Sequence, residues 1–157
     1  MNLLSIARMV RAVSLGVWLG SAVMVFVMAP IVFQKLDRSK AGEVVGAILH
    51  SAAFLTAGLA VVAVIAEGVV WANDAELSGW RRYVPALGLG GAVLILLVLV
   101  FWIGPQIEAL RVQIGEFTAA NADTPERLQF RKLHGASMGL SLLQTILVAV
   151  ALIAGMV

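Results

Sequence analysis

Four apolar runs, at 12–33, 46–71, 84–104 and 135–157, set the terms for everything else in the chain. Each is long enough to cross a hydrocarbon core about 30 Å thick at about 1.5 Å of rise per helical residue. A soluble core would interrupt such runs with polar faces, and those faces are largely missing. Of the 157 residues, 61% are apolar and 13% charged, about half the charged share of a soluble domain. The expected fold is all-α: a polytopic membrane bundle of four helices forming a single transmembrane domain over residues 1–157.

The first run, behind Arg8 and Arg11, resembles a signal peptide in its basic start and in the small-residue character of Val27-Met28-Ala29. It exceeds the about 7–15 apolar residues of such a segment, and Pro30 would follow the cut, so it reads as a retained first membrane helix. Pro30, without an amide donor, is expected to kink or end that helix near one membrane face. The second run is long enough to tilt or to extend into the interface. Pro85 suits the first turn of the third helix. With an even number of crossings, both termini lie on one side.

The connections differ. Residues 34–44 and 72–82 read as short charged turns, whereas the third connection, from Pro105 to about Lys132, has room for structure of its own. Ile107, Leu110, Ile114 and Phe117 recur at helical spacing between Glu108, Arg111 and Glu116. That pattern predicts an amphipathic interfacial helix, or an extension of helix three lying against the bundle. Asn121-Ala-Asp-Thr-Pro125 then reads as a turn and a helix start. The positive-inside count sets Lys35, Arg38, Lys40, Arg111, Arg127, Arg131 and Lys132 against Arg8, Arg11, Arg81 and Arg82, a small bias towards both termini outside.

With no cysteine, disulfides and thiolate metal sites are excluded, and no dense basic patch points to nucleic acid. Membrane lipid is the expected surrounding, with a homo-oligomer or a membrane-protein partner as the expected association. Small residues recur four apart in Gly16–Gly20, Gly42–Gly46 and Gly135–Gly139, a spacing that permits close helix packing in lipid.

Polar residues within the runs are the candidate site. His134, Ser137, Ser141 and Gln144 share a face of helix four, with Thr145 beside them, and that face should turn away from lipid. It is read as interhelical hydrogen bonding or as a ligand-binding or conducting surface. His50 and His134 begin helices on the same membrane side; each has a hydrogen-bonded structural role, or contacts ligand, or handles protons, or the two ligate a metal or haem. Glu67, in the apolar end of helix two, is a charged group paired with Arg11, Arg81 or Arg82, or a protonatable group in a pocket. No nucleotide loop or hydrolytic triad is present, and no catalytic residue is expected.

Trp18-Leu19-Gly20, Ala29-Pro30-Ile31-Val32-Phe33, then Ala41-Gly42 and Gly46, resemble the first half of the transmembrane-205-like proteins, domain of unknown function 4149. Pro105-Gln-Ile-Glu108 and Phe130-Arg-Lys-Leu-His134-Gly-Ala-Ser137 are similar to the second half. The resemblance implies a small four-helix protein of the bacterial inner membrane without an assigned activity. Family members commonly carry Asn one turn beyond the Ser of that last segment, where this chain has Ser141, and often carry aromatics after the second helix begins, where it has His50. A more distant resemblance, in the Trp-Gly and Pro pattern of helix one, is to the copper-resistance protein D membrane domain and to small haem-associated oxidases. It implies copper or haem, with His50 and His134 as the available ligands; Arg8 and Arg11 stand where a first-helix histidine would be needed. Three readings follow: a helper subunit or small-molecule binding bundle, an oligomeric transporter or channel, and a haem- or copper-associated protein.

Overall fold

The computed structural model describes residues 2–75, 78–115 and 123–156. Helix α1 spans Leu3–Lys35, α2 Arg38–Asn73, α3 Trp80–Val98, α4 Gly104–Ile114 and α5 Pro125–Ala154. A five-residue π turn, Leu99–Ile103, joins α3 directly to α4. Four stretches are therefore long and apolar enough to cross a membrane: α1, α2, the continuous rod Trp80–Ile114, and α5.

Local chemistry explains the boundaries. Asn2 caps α1, its Oδ1 accepting from the Ser5 amide at 2.8 Å. Pro30 does not end the helix, which continues to Lys35. The connection to α2 shrinks to Leu36 and Asp37, and much of the expected charged turn is helical, because helices of 33 and 36 residues run about 50 Å and project beyond the hydrocarbon. Gly79, at φ 56°, turns the chain into α3. Thr124 caps α5, its hydroxyl accepting from the Arg127 amide, with Pro125 in the first turn. Phe117, Glu116 and Asn121 lie outside the described residues.

The expected separate interfacial helix is corrected here. Residues 104–114 continue the third crossing, the extension that was the other reading of their periodicity. Pro105 would break an α-helical ladder, but the preceding π turn absorbs it: the Gly104 amide donates to the Leu99 carbonyl, one residue further back than in an α-helix. Ile103 and Leu110, both buried, lie on the rod where it packs against α5.

The helices pack chiefly as two pairs, α1 with α2 and α3 with α5; α1 also meets α5, whereas α2 and α3 touch little. The centre is built from Leu15, Trp18, Ala60, Ala63, Leu89, Ala92, Leu96, Val148 and Ala151. Four of these nine are alanine, which lets backbones approach closely where lipid is as apolar as the interior, and the larger side chains fill the space between them. Large apolar residues such as Phe54, Leu87 and Phe101 point outwards.

The glycine pairs, whose spacing permits close helix packing, differ in what they face. A Cβ at Gly16, Gly20, Gly135 or Gly139 would meet nothing within 4 Å. At Gly46 it would lie 3.0 Å from Arg111 Nη1, whose guanidinium covers this small strip on α2. The tight internal approach occurs at Gly88 and Gly91 of α3, against Leu147 and Ala151 of α5.

Candidate functional site

Two arginines on α1 and two acids at the end of α2 form an antiparallel ladder. Arg8 and Arg11 are three residues apart, and Glu67 and Asp74 seven apart, so each pair shares a helix face. Arg11 Nη1 donates to Glu67 Oε2 at 2.6 Å, with the two side chains only 6% and 11% exposed. Arg8 pairs with Asp74, whose carboxylate is buried while the arginine reaches solvent or headgroups.

Arg11 also binds a third helix. Its Nη2 donates to the Gly155 carbonyl at 2.6 Å, satisfying an acceptor at the end of α5 where the helix dipole favours a cation. A Cβ at Gly155 would collide with the pinned guanidinium, so the approach needs glycine. Ser14, Leu15 and Trp18 continue the Arg11 face into the core. Among the described residues, no buried side-chain nitrogen or oxygen lacks a hydrogen bond.

The polar residues of α5 do not act as one surface. Gln144 Nε2 reaches across to the Ala92 carbonyl of α3 at 3.1 Å, inside the bundle. Ser137 instead donates to the His134 carbonyl, and Thr145 to the Ser141 carbonyl, each at 2.8 Å within its own helix. Ser141 is half-buried. Replacing Gln144 with Leu is expected to cost about 0.6 kcal/mol, and at most about 1.7, in a bilayer unfolding measurement. A larger loss would mean that Gln144 holds more than this bond.

His50 and His134 are both exposed, on α2 and α5, two helices without extensive contact. His50 meets Phe54 edge-on at 5.0 Å, and His134 stacks on Phe130 at 5.8 Å, each one turn along its own helix. Among the described residues, no three His, Cys, Asp or Glu side chains are grouped to hold a metal.

Sequence reasoning named Arg11 as one of three partners for Glu67, but it missed the Arg8–Asp74 rung and the Gly155 carbonyl. The available signal was coarser: two arginines and two acids at the same membrane side of consecutive antiparallel helices, with unequal spacings, three residues against seven, that do not by themselves fix the pairing.

The model of a family described as a domain of unknown function, DUF4149, matches residues 13–116. The chain belongs to this family. The match takes in α1 from its fourth turn, α2, α3 and α4, so Glu67 and Asp74 fall within it, whereas Arg8, Arg11 and α5 lie outside. No curated protein and no solved structure matches the chain. Family, helical architecture and composition together make it a multipass integral membrane protein.

Proposed function

We propose that this DUF4149 protein is a helper subunit of the bacterial inner membrane, a charge-locked bundle that associates with another polypeptide through its lipid-facing surface. The observation that carries this reading is the position of Gly16 and Gly20 on α1 and of Gly135 and Gly139 on α5, each with open space where a neighbouring helix would pack. Small residues four apart let two helix backbones approach closely in lipid. The polar groups that would otherwise suggest a transport path favour the same reading. Glu67 is held by Arg11, and Gln144 by a backbone carbonyl, so both serve the bundle itself.

The test uses the absence of native cysteine. A single cysteine replacing Val17, beside the α1 strip and exposed, is expected to cross-link to a second polypeptide in native membranes, whether another copy or a different chain. Gly20→Leu should reduce that product by at least about tenfold, the equivalent of about 1.4 kcal/mol of helix contact. A Cβ at Gly20 meets nothing within 4 Å in the monomer, so its melting is expected to stay unchanged. Cross-linking indifferent to Gly20→Leu, or a chain that remains monomeric in nanodiscs and uncross-linked in membranes, would overturn the proposal.

A further inference from the structure

The loosest seam of the bundle runs between α2 and α3. An open groove of about 540 Å³ follows it, lined by Val64 of α2 and by Ala86, Leu87, Gly90, Gly91 and Leu94 among others on α3. The seam is bridged near the start of α3, where Trp71 contacts Tyr83 edge-on at 5.5 Å and the Arg82 guanidinium lies 4.6 Å from its ring centroid. Trp71, Trp80 and Tyr83 form the kind of aromatic belt that marks headgroup depth.

Helical register joins this charged end to the apolar groove. Ala86 and Val93 follow Arg82 along one side of α3, while Leu87, Gly90 and Leu94 follow Tyr83. Trp71 lies two turns beyond Val64 on α2, on the same face. From Arg82 to Leu94 the axis runs about 18 Å, a length suited to an extended acyl chain. Among the described residues no acid pairs with the charge at the headgroup end: Arg82 lies over the Trp71 ring and donates to the Trp71 carbonyl at 3.5 Å. Glu67 and Asp74 bind Arg11 and Arg8, and Arg81 makes no hydrogen bond or ion pair among the described residues.

We infer that the α2–α3 seam binds one anionic phospholipid, its phosphate against Arg82, with the exposed Arg81 beside it in the first turn of α3, and one acyl chain along the groove over Gly90. The site lies on a different face from the proposed association strips and does not depend on them. A juxtamembrane arginine contributes about 1 kcal/mol towards an anionic lipid surface, so two should enrich such a lipid on the order of tenfold over a zwitterionic one.

The experiment is native mass spectrometry of the full chain released from nanodiscs of equimolar phosphatidylglycerol and phosphatidylcholine. One retained phosphatidylglycerol per chain is expected, favoured on the order of tenfold. Arg81→Gln, which loses no internal contact, should lower the preference several-fold, and Arg81→Gln with Arg82→Gln should bring it near parity. Gly90→Leu, whose Cβ meets nothing within 4 Å and whose side chain enters the groove, should remove the retained lipid of either headgroup, whereas Gly58→Leu, at another position open to a Cβ, should not. Retained lipid that mirrors the bulk mixture, or a preference that survives both arginine substitutions, would overturn the inference. So would a Gly90→Leu protein that loses a second copy of the chain while keeping its lipid.

Discussion

Arg11→Ala is expected to destabilise the bundle by about 3–5 kcal/mol, because it leaves the Glu67 carboxylate buried without its counter-charge. It also deprives the Gly155 carbonyl of its donor. Glu67→Ala should cost a similar amount through the stranded guanidinium. Replacing both members by apolar residues, Arg11→Met with Glu67→Leu, should recover most of the loss, since desolvating the pair offsets much of its attraction. Reversible unfolding in bicelles would measure all three. Single substitutions costing less than about 1 kcal/mol would show that water or headgroups reach the pair and that it does not lock the helices. The double variant tests function separately: a bundle that is stable yet inactive in any later assay would assign the charges a role beyond structure.

Gly88→Leu is the second large effect. A Cβ at this position lies 3.1 Å from the Leu147 carbonyl oxygen and 3.2 Å from the Ala151 Cβ, so even the first added carbon presses on backbone. Overpacking of this kind costs about 1–3 kcal/mol, and a full leucine at a backbone contact belongs at or above the upper end. The same measurement on Gly90→Leu supplies the control two residues further along, where a Cβ meets nothing within 4 Å. Equal stability of the two variants would contradict the α3–α5 approach described above.

The existence of the four helices was legible because length and hydropathy alone decide what crosses a bilayer. Their facing was not. On a soluble helix the apolar side identifies the core, but in lipid both sides are apolar, and the spacing of the glycine pairs did not say which would face inwards: Gly16, Gly20, Gly135 and Gly139 lie open, whereas Gly42 and Gly46 lie under Arg111. Polar residues on α5 were an incomplete substitute. Serine and threonine can return a hydroxyl proton to a carbonyl one turn back, as Ser137 and Thr145 do, and so need no neighbouring helix. Gln144 reaches beyond its own backbone, and it reported the interior. The continuity of α3 with α4 was hidden for a different reason: proline conventionally signals a break, and the π turn that accommodates Pro105 has no marked sequence signature.

The Arg11 node also bears on the order in which the chain is made. Arg11 precedes Glu67 by 56 residues and Gly155 by 144, so the first helix leaves the ribosome carrying a charge whose partners do not yet exist. Until α2 arrives, that guanidinium must stay at the headgroups by extending its long side chain, because a charge at the bilayer centre costs about 2.5–3.5 kcal/mol even on insertion scales. The second helix supplies the carboxylate, and the end of α5 supplies the carbonyl that takes up the other terminal Arg11 nitrogen. The order of synthesis thus sets the order of satisfaction: early helices can enter the membrane before Arg11 has its partners, and both of these hydrogen bonds are in place only once α5 has been delivered.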